Sequence, residues 1–322
     1  MELKLGEKAS LRQAFGEALV EVGAEDERVV VLTADLAGST YTKLFAERFP
    51  ERFFNLGITE ANMMSLAAGL AMSGKKPFVS TFAVFAAGKP WEQVRQTIAY
   101  QSAPVRIVAT HAGLTVGEDG ASHQMLEDIN NIRVLPHMDV IVPADAVETR
   151  QVVHALKDHD DNPVYVRLAR APFPVILDDR YHFELGRAIT LRHGDDVSIF
   201  ACGLMVSQAL KAAQLLAERG LSAEVINIST IKPLDIEAVI DSVSKTGAAV
   251  AAEEHQVIGG LGSAVAEAIG EHWPAPLVRV GVRDEFGQSG SADELIKYYG
   301  LTPEGIAEAA ERAMERKERR DV

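Results

Sequence analysis

The sequence has little cysteine and no excess of positive charge, and both shortages limit what the protein can be. Cys202 is the single cysteine among 322 residues, which excludes an internal disulfide framework and is typical of a reducing compartment. Lysine and arginine number 32 against 46 aspartates and glutamates, a formal net charge of −14. Because nucleic acids are bound mainly by lysine and arginine at their phosphates, this balance argues against a nucleic-acid partner.

Long apolar runs are missing as well. No stretch is long enough to span a bilayer, and the opening segment MELKLGEKASLRQAF contains no apolar run of signal-peptide length. We therefore expect a soluble, cytoplasmic protein without a membrane partner. Hydrophobic residues make up 47% of the sequence, which is enough for a sizeable core. The length suggests about two domains.

Segments typical of strands and helices alternate along the whole sequence. RVVVLTAD, KPFVSTF, PVRIVAT and PVYVRLAR are apolar without alternation, and helix-like segments separate them. Such strands occur in mostly parallel sheets that are covered by helices on both faces. The stretch APFPVILDDRYHFELG interrupts this order, which resumes after it. We predict an α/β protein with two doubly wound domains, residues 1–172 and 187–322, joined by a linker at 173–186.

Several candidate site residues directly follow the predicted strands. In open α/β sheets, ligands bind beyond the carboxyl ends of the strands, so we expect one site along this edge. The residues at these strand ends are Asp35, Ser39, Glu60, Phe82, Phe85, His111 and Arg170.

Glu60 lies in GITEANMM, at the start of a predicted apolar helix. A carboxylate at this position is favoured by the helix dipole, so a helix-terminal charge is one explanation. The other explanation is a carboxyl group that points into a pocket and binds a heterocycle nitrogen. Phe82 and Phe85, on a strand-to-helix turn, could be core residues or could form a surface on which a flat ring stacks.

The segment THAGLTVGEDGASHQ is too polar and too rich in glycine for a helix or a strand, so we predict a loop that presents side chains. A solvated loop without a function is one alternative. His111, Asp119 and His123 could also bind a metal, but no cysteine, helical histidine pair or EF-hand spacing supports this. Hydrogen bonding and proton transfer with a polyhydroxylated substrate is favoured, because histidine titrates near neutral pH. Three further groups would suit a phosphate at the mouth of the site: Arg12, Ser39 and Arg170.

These motifs resemble those of the transketolase family. TADLAGS, LGITEANM, STFAVF and THAG with GEDGASHQ occur in the family's order, and the resemblance covers nearly the whole chain. The chain is similar to the C-terminal half of transketolase in organisms that divide this thiamine-diphosphate enzyme between two chains. The resemblance implies a pyrimidine-binding domain followed by the transketolase C-terminal domain. The implied reaction transfers a two-carbon ketol unit from a ketose phosphate to an aldose phosphate through a carbanion of the cofactor.

The resemblance also implies roles for individual residues, of which Glu60 and His123 are the catalytic ones. Glu60 matches the glutamate that hydrogen-bonds the aminopyrimidine ring of the cofactor, Phe82 and Phe85 match the aromatics that hold this ring, and Asp35 matches an aspartate nearby. Gly88 stands where full-length enzymes have a third aromatic. The sugar-binding matches are His123 near the reacting carbons, Asp119 at the C2 hydroxyl, and Arg12, Ser39, His111 and Arg170 at the phosphate.

The family's GDG motif, which binds the cofactor diphosphate and its divalent metal, is absent from this sequence. The resemblance therefore implies an N-terminal partner subunit that carries this domain and holds a metal such as Mg²⁺. Thiamine diphosphate would be shared between this subunit and the partner subunit, and the implied assembly is a heterotetramer. No metal ligand is predicted in this chain. GGLGSAVAE, from Gly259, could hold an anion at a helix start, but a tight structural turn is favoured because the dinucleotide fingerprint is incomplete.

Three alternative functions stay open. The β subunit of 2-oxo acid dehydrogenases has the same pair of domains, and deoxyxylulose-phosphate synthase has a similar fold and loop. A non-catalytic scaffold with a degenerate site is the third. The second predicted domain has one cluster of ionisable residues, Glu253, Glu254 and His255, for which a subunit contact is one explanation.

Overall fold

The computed structural model describes residues 6–178 and 180–319. The strands of the first part are mostly apolar and buried. They are β1 (Lys8–Ala9), β2 (Val29–Thr33), β3 (Phe53–Asn55), β4 (Lys76–Phe82), β5 (Arg106–Thr110), β6 (Asp139–Ile141), β7 (Val164–Arg167) and β8 (Phe173–Pro174). The strands of the second part are β9 (Ile189–Arg192), β10 (Val197–Ala201), β11 (Ala223–Asn227), β12 (Thr230–Lys232), β13 (Ala249–Gln256) and β14 (Leu277–Val282).

Helices separate most of these strands, although, among the residues that the structure describes, β7 to β10 follow one another without a helix and so do β11 and β12. The helices are α1 (Leu11–Glu25), α2 (Lys43–Arg48), α3 (Glu60–Met72), α4 (Trp91–Gln93), α5 (Asp128–Arg133), α6 (Ala146–Lys157), α7 (Leu204–Glu218), α8 (Ile236–Thr246), α9 (Leu261–His272), α10 (Ala292–Tyr298) and α11 (Pro303–Glu318). Ser10 caps α1, because its side chain accepts a hydrogen bond from the backbone N–H of Gln13. In the described ranges, no helix is both long and apolar enough to cross a membrane.

Two mostly parallel sheets organise the chain. The first has the order β12-β6-β7-β5-β4-β2-β3, and the second has the order β14-β13-β10-β11-β9. Only the edge strands β12 and β9 run antiparallel to their neighbours within these two sheets of the described structure. Helices pack on the sheets around apolar cores. This architecture confirms the predicted α/β class with two mostly parallel sheets.

The two parts of the chain are interlocked. β12 belongs by sequence to the second part, yet Thr230 pairs with Ile141 of β6 and extends the first sheet. The predicted linker is also packed, since Phe173 in β8 pairs with β1 and both Phe173 and Phe183 are buried in the core around α1. The segment 173–186 therefore contributes core contacts, and its boundaries as a linker stay a prediction.

Candidate active site

The carboxyl ends of β2, β4 and β5 meet at one edge of the first sheet, where the sequence placed most of its candidate residues. These strands are parallel neighbours, and the register pairs Thr33 with Ser80 and Phe82 with Thr110. The segments that leave β4 and β5 consequently start side by side. After β4 the chain forms a π-helical segment, Val84–Gly88, which carries Phe85. After β5 it forms residues 111–124, which we call the site loop. This segment was predicted to contain no helix, but it includes a short 3-10 helix, Leu114–Asp119, which is interrupted at Gly117.

Four predicted site residues form one group of rings at this edge. Phe82 stacks on His111 with 3.7 Å between ring centroids, and it lies nearly parallel to Phe85 at 6.0 Å. His123, from the far end of the site loop, directs an edge toward Phe85 at 5.7 Å. The structure thus joins both ends of the site loop to the turn after β4. Such a group presents aromatic faces and two imidazoles to the same region.

His111 is held in an unusual environment. It is 4% exposed, its Nδ1 lies 2.9 Å from Oγ1 of Thr110, and its backbone adopts a left-handed conformation with φ of 56°. Burial, with smaller contributions from Arg12, Arg170 and His123, lowers the pKa of His111 to about 3. The ring is therefore neutral near pH 7, so one nitrogen can donate a hydrogen bond and the other can accept one.

Glu60 is the first residue of α3, and its side chain is buried. It is 2% exposed, and the ammonium of Lys89 donates a hydrogen bond to Oε2 at 2.6 Å. Lys89 directly follows the π-helical segment, and its own side chain is 54% exposed. A solvated charge at the end of a helix is therefore not the explanation for Glu60, because its carboxylate is shielded from water and paired with a cation. It is a buried hydrogen-bond acceptor, joined through Lys89 to the end of the segment that carries Phe85.

Arg12 gathers the residues that were predicted to bind phosphate. Its Nη1 donates to the carbonyl of Ser39 at 2.7 Å, and its Nη2 donates to the carbonyl of Arg170 at 3.0 Å. Arg170 in turn donates from Nη1 to the carbonyl of Val116 and to the carboxylate of Glu118. The three predicted residues are neighbours in space, but Nη1 and Nη2 of Arg12 already donate hydrogen bonds to backbone carbonyls.

Asp35 and Asp119 form no hydrogen bond or ion pair with the rings of this group, in the part of the chain that the structure describes. The backbone N–H of Asp35 donates to Oδ1 of Asn55 at 3.0 Å, and the amide of Asn55 donates back to the carboxylate at 3.3 Å. Asn55, the last residue of β3, is a neighbour that the sequence reasoning missed, although its position at a strand end was a usable signal. Asp119 is exposed, and within the described ranges no hydrogen bond or ion pair joins it to another predicted site residue.

The second part of the chain supports the site loop from behind. Gln124 donates from Nε2 to the carbonyls of Leu114, Gly117 and Gln288. Leu114 is fully buried in the core of the second sheet, and Oε1 of Glu254 accepts the backbone N–H of Thr115 at 2.7 Å. The sequence reasoning missed these supports.

The cluster Glu253, Glu254 and His255 is buried inside the chain, so its interpretation as a subunit contact is wrong. Glu253 accepts hydrogen bonds from the backbone N–H groups of Leu261 and Gly262 at the start of α9, both at 2.8 Å. An internal carboxylate thus fills the helix start that could have held an external anion. The GGLGS segment is the tight structural turn that was favoured, and a Cβ on Gly260 would collide with Glu253. Burial raises the pKa of Glu253 to about 7.

Comparisons with known proteins identify the family of the two domains. Residues 7–174 match the transketolase pyrimidine binding domain, and residues 186–306 match the transketolase C-terminal domain. The chain is 48% identical to a transketolase C-terminal section from Methanocaldococcus jannaschii, over 92% of this chain and 94% of the relative. It is 44% identical to a 6-deoxy-6-sulfo-D-fructose transketolase subunit from Clostridium sp. (strain MSTE9), over 98% of each chain.

A solved structure described as a split gene transketolase in an inactive β4 tetramer is also similar. It superimposes with a TM-score of 0.89 at 48% identity, over 96% of this chain and 99% of that one. The two domains and their order, together with the similarity to these relatives, lead to one conclusion: this chain belongs to the transketolase family and carries its pyrimidine binding domain and its C-terminal domain.

Proposed function

We propose that this subunit takes part in the transfer of a two-carbon ketol unit from a ketose phosphate to an aldose phosphate. The observation that carries the proposal is the grouping of four rings at one sheet edge, those of Phe82, Phe85, His111 and His123. The buried carboxylate of Glu60 is bonded to the segment that carries Phe85, because it pairs with Lys89, the residue directly after Val84–Gly88. A degenerate scaffold has no need for a desolvated carboxylate, because burying such a charge costs free energy.

The residues present fit the pyrimidine part of thiamine diphosphate, the cofactor that the family implies. Glu60 offers a buried acceptor, and the rings of Phe82 and Phe85 are inclined by only 12° to each other. Full-length enzymes have a third aromatic at the position of Gly88. A Cβ at Gly88 would lie 3.9 Å from Cε of Met125, an ordinary van der Waals distance. The chemistry that the cofactor supplies when bound is a nucleophilic carbon for the ketol unit.

The chain's own residues would divide the remaining work. Glu60 accepts the hydrogen bond that orients the pyrimidine, and Asp35 lies near the cofactor. His123, which reaches the rings from a loop, moves the proton of a substrate hydroxyl. Neutral His111 contributes a hydrogen bond without adding charge. The outer positions bind the sugar: Asp119 at a hydroxyl, and Arg12, Ser39 and Arg170 toward the phosphate.

We infer that a partner subunit holds the cofactor diphosphate and a divalent metal such as Mg²⁺. The missing GDG motif supports this inference. Three exposed apolar side chains on and just before α3 are available for contact with a subunit: Ile58, Leu66 and Met72. The split-gene relative, described as inactive in its β4 tetramer, is in keeping with a chain that needs a second kind of subunit. A heterotetramer with twofold symmetry is the expected assembly.

The substrate is tested with the reconstituted pair. The chain is mixed with an N-terminal subunit that contains the GDG motif, thiamine diphosphate and Mg²⁺, and it is assayed with xylulose 5-phosphate and ribose 5-phosphate. We expect ketol transfer by the pair and none by either chain alone. Activity with pyruvate and none with xylulose 5-phosphate would support a synthase or a dehydrogenase and would contradict the proposal.

The relative that acts on a sulfosugar adds one arm to the assay. Sulfonate and phosphate are both anions that an arginine can bind. Running 6-deoxy-6-sulfo-D-fructose as the donor beside xylulose 5-phosphate therefore ranks the two classes of donor. A preference for the sulfosugar would keep the ketol transfer and change the substrate.

A further inference from the structure

The predicted site residues all lie in the first part of the chain, yet the loop that carries three of them is attached to the second part. Glu254 lies in β13, between β10 and β14 in the second sheet, and it is 3% exposed. Its Oε1 accepts the backbone N–H of Thr115 at 2.7 Å. Thr115 lies midway between His111 and Asp119 in the site loop.

We propose that Glu254 is a positioning residue, which fixes the site loop through the backbone N–H of Thr115. Its kinetic consequence rests on the proposed function, whereas its structural consequence does not. The contact joins residues 139 positions apart in the sequence, so it sets the place of the loop relative to the second sheet.

The local packing leaves little freedom at this contact. Gly113 has a φ of 79°, and a Cβ there would collide with the carboxylate of Glu254. Leu114, the next residue, is buried in the core of the second sheet. The loop therefore approaches the carboxylate closely at Gly113, inserts a side chain at Leu114 and donates a hydrogen bond at Thr115.

Glu254 is itself held rigidly. The guanidinium of Arg167 donates from Nη2 to the backbone carbonyl of Glu254 at 3.0 Å, and its Nε donates to Asp128 at 2.8 Å. Burial is the main cause that raises the pKa of the Glu254 carboxyl group. A buried carboxyl group is unfavourable unless it is hydrogen-bonded, so the bond to Thr115 satisfies two buried groups at once.

The neighbouring Glu253 provides a matched control. It is equally buried, but its carboxylate binds the start of α9 and none of the site loop. Exchange of Glu253 for glutamine disturbs a buried carboxyl group on the same strand without touching the loop. A comparison of variants at Glu254 with Glu253→Gln therefore separates the positioning of the site loop from general damage to the strand.

The first measurement is hydrogen–deuterium exchange on the full chain, which does not depend on any activity. We expect Glu254→Ala to speed exchange in residues 111–124 by about tenfold or more, because a buried N–H loses its partner. Glu254→Gln, which keeps an acceptor oxygen, should restore most of the protection, and Glu253→Gln should leave these residues unchanged. Unaltered exchange in a folded Glu254→Ala chain would overturn the proposal.

The second measurement uses the reconstituted pair. Glu254→Ala should lower kcat/KM for the sugar phosphate about tenfold, while the Kd for thiamine diphosphate stays within about twofold, because Glu60 and Phe85 do not lie on the site loop. Glu254→Gln should recover most of kcat/KM. Equal losses in kcat/KM and cofactor affinity would indicate general damage and would contradict the proposal.

Two further outcomes keep the test decisive. If Glu254→Ala does not fold, both measurements are made on Glu254→Asp. Aspartate keeps the carboxyl group, but its shorter side chain moves the acceptor oxygen away from the N–H of Thr115. If the wild-type pair transfers no ketol unit, the proposed function fails, and the exchange result alone decides the role of Glu254.

Discussion

Lys89 donates a hydrogen bond to the buried carboxylate of Glu60 at 2.6 Å, from a side chain that is itself half exposed to solvent. The pair joins the start of α3 to the turn after β4. If Glu60 binds the aminopyrimidine ring, the cofactor and Lys89 use the same carboxylate. The lysine can leave toward solvent, whereas the buried glutamate cannot.

We expect Lys89→Met to strengthen binding of thiamine diphosphate by the reconstituted pair. Because the lysine end of this pair is half exposed and can be solvated when it leaves the carboxylate, we expect a gain of about fivefold in Kd, which corresponds to about 1 kcal/mol. Titration calorimetry measures it. Lys75→Met, at an exposed lysine in the turn after α3, is the control and should leave the Kd unchanged. A weaker Kd in Lys89→Met would show that the lysine assists binding.

Glu60→Ala should reduce turnover at least about a hundredfold, since a single hydrogen bond to the cofactor in a dry site has effects of this size. Little core volume depends on this side chain, so the thermal unfolding midpoint should change only slightly. Steady-state assay and thermal unfolding of the same preparation test both statements. Glu92→Ala, at an exposed glutamate of α4, is the matched variant that should behave as wild type. Wild-type turnover in Glu60→Ala would refute the assigned role.

His123→Ala should lower kcat about a hundredfold, the usual contribution of one positioned acid or base. The imidazole also packs its edge against Phe85, so loss of the ring alone could disturb the site. His123→Phe separates the two effects, because it keeps the ring and removes the titratable nitrogen. If His123→Phe retains the wild-type kcat, packing and not proton transfer explains the histidine.

Arg170→Ala should mainly raise KM for the sugar phosphate, as expected when an interaction common to ground state and transition state is removed. The structure adds a second effect, because Nη1 of Arg170 also holds the carbonyl of Val116 in the site loop. Arg170→Lys keeps the charge but not the planar fork, so it should recover part of the KM. A fall in kcat with an unchanged KM would contradict phosphate binding.

His111 predicts a pH dependence of stability. Its pKa is lowered by burial to about 3 in the folded chain, against 6.5 for the ordinary residue. Between these values the unfolded chain binds a proton that the folded chain does not, so the free energy of unfolding falls as pH falls from 6.5 toward 3. One such proton corresponds to about 1.4 kcal/mol per pH unit.

His111→Asn should therefore reduce the slope of unfolding free energy against pH by about that amount between about pH 4 and pH 6. Asparagine tolerates the left-handed backbone at this position. Denaturant unfolding at several pH values measures the slope. Burial lowers the pKa of His255 to about 4, so this residue also makes the free energy of unfolding fall as pH falls, equally in the wild type and in His111→Asn. His137→Asn, at an exposed histidine with φ of 63°, is the matched control, and an equal change there would reject the assignment to His111.

Much of the fold and part of the site could be predicted because the signals are local. Unalternating apolar runs such as the one at β5 indicate buried parallel strands, and the turn after each strand follows directly in the sequence. Phe82, Phe85 and His111 were predicted at one edge and make contact there. The chemical roles of these residues stay predictions, since contact alone does not show them.

The contacts that were missed are those without a local pattern. The strand β12 was not predicted, because a short edge strand that joins the sheet of another domain has no periodicity of its own. Lys89 was not among the candidates, and it lies 29 positions from its partner in the sequence. Asn55 gave a weak signal at a strand end, and the Glu254 cluster was noticed without its partner.

The sequence by itself determined the α/β class, the alternation of the main strands and helices, the family and the set of candidate side chains. Each of these follows from periodicity, composition or a short motif, which neighbouring residues suffice to define. Only the tertiary structure decided that Lys89 pairs with Glu60, that Arg12 binds the backbone of Ser39 and Arg170, and that Glu254 holds the site loop. These contacts depend on how distant segments pack, because a buried polar group takes whichever partner the packed sheets bring within hydrogen-bond distance.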